Sequence, residues 1–196
     1  MNMIKFMLKD WMIRGAFLEV LFLSVAAPSM KIIVMRAITP QMIALRFMVG
    51  NISVILFTIL YDKFSDKIYP FYPLMLFTRI VVYTTCVVCI IQDIMTIPAY
   101  YLIDICISSM LSKTIHCCYA RMKRMSYAGE DRERFDNYKT MSAAIAGMIG
   151  NTFAFFNLPP VVTWSCFGLS VFVDNLCSTI QYFKLKRENK TLTKDV

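Results

Sequence analysis

Charge is the scarcest ingredient of this sequence: 17% of its 196 residues are Asp, Glu, Lys or Arg, against roughly 25% in ordinary soluble domains. Hydrophobic residues make up 58%. A soluble globule of this length could not bury so much apolar surface, and the excess would form an aggregating patch. That excludes a soluble enzyme, a disordered tail and a nucleic-acid-binding domain. Histidine occurs once, at position 116, and no Gly-rich phosphate loop, metal-ligand cluster or Gly-x-Ser-x-Gly is present. The sequence therefore implies no metal, no cofactor and no enzymatic activity. No cleavable leader is expected either, because Met1 to Arg14 is basic and amphipathic and the first apolar run lacks a well-formed small-residue cleavage site. The seven cysteines are odd in number and lie mostly inside apolar runs, which argues against a disulfide framework. Cys86 and Cys89 form a Cys-x-x-Cys, but mid-run and without a second pair or a nearby His, so they read as small packing residues.

What the sequence has in abundance is apolar length, with a mean hydropathy of +0.56. Crossing about 30 Å of hydrocarbon takes about 20 mostly apolar residues at 1.5 Å each. Six such segments can be drawn, at about residues 11–35, 40–60, 72–91, 97–119, 138–156 and 160–183. The expectation is one all-α membrane domain of six transmembrane helices. Thr39 ahead of Pro40, and Thr96 ahead of Pro98, supply a capping hydroxyl followed by an early proline. Pro159 and Pro160 punctuate the last turn.

The net charge of +8 invites a phosphate-rich partner, but its placement points to topology instead. Residues 1–14, the 61–71 loop, the 113–139 stretch and the tail from Lys184 hold 17 of the 21 basic residues, Lys5, Lys9 and Lys194 among them. The opposite connections hold only Lys31, Arg36 and Arg46, which read as snorkelling side chains at the outer headgroups or as a funnel for an anionic or amphipathic substrate. By the positive-inside rule both termini face the cytoplasm, in a multi-pass protein of the cell membrane, and no nucleic acid is involved. The outer turns, near Gln92 to Thr96 and Asn157 to Pro160, are short and force antiparallel neighbours. In the central inner stretch, Glu130 with Arg134 at i,i+4 allows a cytoplasmic helical extension at the headgroup surface.

Ionisable groups at membrane depth cost about 2.5–3.5 kcal/mol each on insertion scales, so each needs a reason. Glu19, Arg79, Asp104 and Asp174 are such groups. They read as a substrate or proton path through the bundle with Arg79 as counter-charge, or else as structural pairs between facing helices. In the fifth segment Ala143 with Gly147, and Ala146 with Gly150, are small-x-x-x-small pairs that let a neighbouring backbone approach. His116 stands beside Cys117 and Cys118, but adjacent helical residues point about 100° apart, so it cannot activate Cys117 without distortion. A membrane peptidase would need Cys166, Cys177 or another thiol brought to His116 by tertiary contact.

The stretch from Ile38 to Met75 resembles the second helix, the following loop and the third-helix start of major facilitator superfamily transporters. That family has Gly, three variable residues, Asp, a basic residue, then Gly with further basic residues. Asp66 and Lys67 match its Asp-Arg core and Pro73-Leu74 its continuation, whereas Asp62, Tyr69 and Pro70 depart from it, a degenerate form of the motif. The run from Asp131 to Phe156 resembles the start of the family's fifth helix, with Arg134 entering it and Gly147 and Gly150 on its small face, and Asn151 where the family's antiporters have Pro. The resemblance extends over the helix pattern of the chain but stops at half the family's length, since such transporters have two six-helix halves around a central cavity. It implies a half-facilitator bundle that moves a small solute by alternating access. Such a half would work as a homodimer or with a partner membrane subunit. Asp66, Lys67 and Arg134 would form an inner-face gate. A different class fits the same composition: a non-transporting accessory, immunity or assembly subunit, in which the buried charges simply pair off.

Overall fold

The structure, a computed structural model, describes residues 10–192 except 128, 155 and 157. The basic start with Lys5 and Lys9, Asn157 of the last outer turn, and Lys194 lie outside the described residues. The described elements are all helical: α1 (Trp11–Ala37), α2 (Pro40–Ile68), α3 (Tyr72–Ile91), α4 (Ile97–Ile107), α5 (Lys113–Ser126), α6 (Glu130–Ala154) and α7 (Pro160–Leu192). A three-residue 3-10 turn, Tyr69–Phe71, joins α2 to α3, and a wider π-type turn, Ser108–Ser112, joins α4 to α5. Three helical stretches are long and apolar enough to cross a membrane: Trp11–Ala37, the 52 residues Pro40–Ile91, and Pro160–Glu188. The described residues are all-helical, and the length and apolar composition of these helices mark a membrane-embedded protein.

Local chemistry explains where the helices begin. Asp10 caps α1, its Oδ1 accepting the backbone N–H of Met12 at 2.9 Å and of Ile13 at 3.0 Å. Burial pushes the Asp10 carboxyl above its ordinary value, while those two N–H groups pull the other way. The Thr39 and Thr96 hydroxyls each accept a backbone N–H at 3.4 Å, from Met42 and Ala99. Pro40, Pro73 and Pro98 fall in first turns, where a missing N–H costs nothing. Pro28 sits inside α1, a position tolerated where neighbouring helices cover the freed backbone.

Several boundaries differ from the sequence reading. The expected 61–71 loop is helical nearly throughout, interrupted only at Phe64 (φ −125°, ψ 20°). The fifth segment begins at Glu130, eight residues before the expected 138, and the sixth runs on to Leu192. Apolar composition marks only the lipid-facing length, whereas Glu, Lys and Arg are good helix formers that carry the helix on into water. Arg134 bonds Glu130 at 3.2 Å one turn away, and Lys123 is paired with Asp136, which ties α5 to α6. Between them Gly129 turns the chain at φ +50°, a conformation free of strain only for glycine.

Helix α1 is the centre of the packing: it lies against α7 and α6, and α7 in turn against α3. Helix α2 leans on α5 and the π-turn and leaves most of its apolar side chains exposed, such as Met48, Ile55 and Ile59. The core is split into two clusters. One gathers Met12, Tyr72, Leu76, Ile115, Met122 and Tyr182; the other gathers Tyr83, Val87, Ile90, Tyr100, Trp164 and Val171. Along α3 the break falls between Leu76 and Tyr83, and along α7 between Val171 and Tyr182. The residues in those gaps include Arg79, Asp174 and Ser178. A polar layer therefore lies between two apolar ones.

Candidate functional site

The layer holds a cavity of about 170 Å³ to which four helices bring charge. Glu19 comes from α1, Arg79 from α3, Lys139 from α6 and Asp174 from α7. Tyr119, His116, Ser112 and Ser178 complete its polar wall. Lys139 Nζ donates to the Tyr119 hydroxyl at 3.0 Å and lies 4.6 Å from that ring. Among the described residues no ion pair joins any two of the four charges. The space between them has room for several waters at about 30 Å³ each. Two carboxylates facing two cations sum to zero, so the cavity can take a zwitterionic or neutral polar group without net charge building up in the membrane. Three of the four charges expected at membrane depth thus converge. Lys139, counted as a topology charge at the start of the fifth segment, joins them because its long stem reaches inward from α6.

Asp104 lies elsewhere. Its carboxylate accepts from Tyr83 Oη and from Ser108 Oγ at 2.9 Å, and pairs with Arg46 Nη2 at 3.0 Å. Arg46 also sits 5.3 Å over the Tyr101 ring. Arg46, expected among the outer snorkelling cations, is paired with this buried carboxylate while its own side chain stays 47% exposed. Lys31 and Arg36, in the last turns of α1, remain exposed. The two polar groups touch through Tyr83, whose ring lies 5.8 Å from the Arg79 guanidinium.

The charges expected to form an inner gate are not gathered as a trio. Asp66 pairs with Arg121 at 2.7 Å, and Arg121 stacks 4.8 Å from the Tyr69 ring, so α5 is bridged to the α2–α3 connection. The hydrogen bond from Arg121 to Asp66 pushes the guanidinium further above its ordinary value. Arg134 instead turns to Glu130 and Asp131 on its own helix, and Lys67 lines an apolar hollow with Phe64 and Met75. Helical spacing explains the swap, since Glu130 is one turn from Arg134 whereas Asp66 is brought to Arg121 only by packing.

The small stripe of α6 meets α1. Ala146 is fully buried, and a Cβ placed on Gly150 would meet Ser24 Cβ at 2.6 Å and the Leu21 carbonyl oxygen at 2.7 Å. At Gly147 the contact is looser, with Ser24 Oγ at 3.8 Å, and Ala143 is half-buried. All seven cysteines are free. Among the described residues no hydrogen bond joins His116 to a thiol, and Cys177 packs against Gly15. Nor is any group of three or more His, Cys, Asp or Glu gathered to hold a metal ion among those residues. No protein-family model, curated protein or solved structure matches this chain.

Proposed function

We propose that the chain crosses the cell membrane six times with both ends in the cytoplasm, as a facilitator-like half transporter that moves a small solute by alternating access. The observation that carries this reading is the meeting of Glu19, Arg79, Lys139 and Asp174, from four helices, on one polar cavity. Charges kept only for structure would close into ion pairs, because an unpaired charge in lipid is expensive. Depth supports the threading. Counted from the expected inner ends at 11, 72, 119 and 183, Glu19, Arg79, Ser112 and Asp174 lie eight, seven, seven and nine residues in. At 1.5 Å per residue that is about 10–14 Å in each case. Two helices running outward and two running inward reach one level only if the inner ends share a side.

In this reading Asp66 with Arg121 is the inner latch, holding the ends of α2 and α5 together until the bundle opens inward. The missing half is supplied by a second copy or a partner membrane subunit, since one half leaves a cavity wall in lipid. The accessory-subunit reading is favoured by Asp104 alone, whose charge is fully met by Arg46, Tyr83 and Ser108.

The test is uptake into proteoliposomes across a panel of labelled small anions, cations and zwitterions. At least one solute should accumulate above empty liposomes. Asp174→Asn and Asp66→Ala should each reduce its uptake at least tenfold, Asp174→Asn with the protein still folded. Uptake indifferent to both substitutions, or none across the panel, would leave the accessory reading standing.

A further inference from the structure

A second hollow of about 640 Å³ runs between α2, α4, the π-turn and α5. Its volume falls within the roughly 300–1,000 Å³ typical of small-molecule sites. Its walls are apolar, with Phe47, Val54, Tyr101 and Ile105 prominent. Its charges are of one sign: Arg46 and Lys113 line it, and no carboxylate does among the described lining residues. Arg46 faces it, for that side chain is 47% exposed while its partner Asp104 is only 10% exposed. The hollow is open along α2, where Phe47 and Val54 remain exposed.

We infer that this groove binds an organic anion with an apolar body, an amphiphile arriving from the bilayer, and that Arg46 receives its anionic head. The guanidinium has five N–H donors in a planar fork, of which Asp104 engages one nitrogen. It can serve the carboxylate behind it and a second anion in front of it at once. The Asp104 carboxylate keeps the Tyr83 and Ser108 hydroxyls, so it is not stranded if the arginine shifts toward the ligand. From Ile43 to Val54 the α2 wall rises 11 steps, about 17 Å at 1.5 Å per residue, enough for an alkyl chain laid along it. A cation would meet Arg46 and Lys113 with no counter-charge on the groove wall, and an anion without an apolar body would gain nothing from the walls.

The groove and the polar cavity share Ser112 and His116. A head group leaving Arg46 can therefore pass along the π-turn toward Arg79 and Lys139. That handover deepens the transport reading by naming its substrate class and rests on it; binding in the groove does not.

The experiment uses the full chain in lipid nanodiscs and measures equilibrium binding of labelled laurate, corrected for empty nanodiscs. Laurate should bind saturably and be displaced by dodecyl phosphate but not by acetate or dodecyltrimethylammonium at the same concentration. Arg46→Gln should weaken laurate at least tenfold, with Arg46→Lys in between. Asp104→Asn should tighten it severalfold, because it removes the negative charge that competes for the guanidinium. This increase is one that mere structural damage would not produce, and it decides the matter if Arg46→Gln does not fold. Unchanged affinity in Arg46→Gln, weaker binding in Asp104→Asn, or equal displacement by acetate or the cation would overturn the proposal. Saturable laurate binding without laurate uptake by proteoliposomes sinks the handover and leaves the site, while the solute panel decides the transport reading separately. Laurate uptake indifferent to Arg46→Gln sinks the site and leaves transport.

Discussion

Two glycines show how differently the same residue can be used. Gly150 stands where α6 crosses α1, and an added methyl would be driven into the Ser24 side chain and the Leu21 backbone oxygen at under 3.0 Å. Backbone cannot yield as a flexible side chain does, so the helices must part or shear. Gly50, inside α2, has nothing within 4 Å of the point where an added methyl would stand. Gly150→Ala should destabilise the protein by about 1–3 kcal/mol, the usual cost of overpacking. Gly50→Ala should be neutral or stabilising by about 0.5–1 kcal/mol, since alanine loses less freedom in a helix. Thermal unfolding in one mild detergent checks the pair; equal midpoints would mean that the α1–α6 crossing is not as close as described. The spacing of Ala146 and Gly150 makes this contact legible in the sequence, because four-residue spacing of small side chains clears one helix face whatever lies opposite. It cannot reveal that the Ala146–Gly150 pair is the tight one and the Ala143–Gly147 pair the loose one, which depends on where Ser24 falls.

The helices themselves follow from apolar length, cap and proline position, and there the sequence is readable to within a turn on the lipid side. The ends at Ile68, Ser126, Glu130 and Leu192 are not, because charged helix formers continue a helix without any apolar signal. The π-turn is the element that leaves no trace, for Ser-Ser-Met-Leu-Ser carries neither proline nor glycine. It sits where it matters, since Ser108 bonds Asp104 while Ser112 lines both the groove and the polar cavity. A π-turn holds one residue more than the α-helix on either side needs, and such bulges often occur at functional sites. Deleting Ser109 should therefore restore a regular helix without changing which faces α4 and α5 present to the core. The deletion should leave the unfolding midpoint unchanged or raised, and should cut laurate binding and solute uptake at least tenfold. A deletion variant that binds and transports normally would show the turn to be passive.

At the scale of the whole molecule, the two kinds of charge differ in legibility. The cations expected to set topology are readable because each is judged singly, by its place between apolar runs. Those inside the bundle act in sets, and membership depends on packing: by sequence Arg46 groups with outer cations and Arg121 with a cytoplasmic cluster, yet each is claimed by a carboxylate on another helix. Glu19, Arg79 and Asp174 can be named one by one, but their meeting with Lys139 needs the fold. The threading makes a demand that can be checked in intact cells. An epitope inserted at Asp93, in the turn between α3 and α4, should be reached by antibody from outside. The same epitope at Gly129, between α5 and α6, or beyond Glu188 on α7 should be reached only after permeabilisation. If the tag beyond Glu188 is exposed on intact cells, α7 runs the other way. Asp174 would then be counted from the opposite face, its shared depth with Glu19 and Arg79 would become coincidence, and the polar layer could not serve as a path across the membrane.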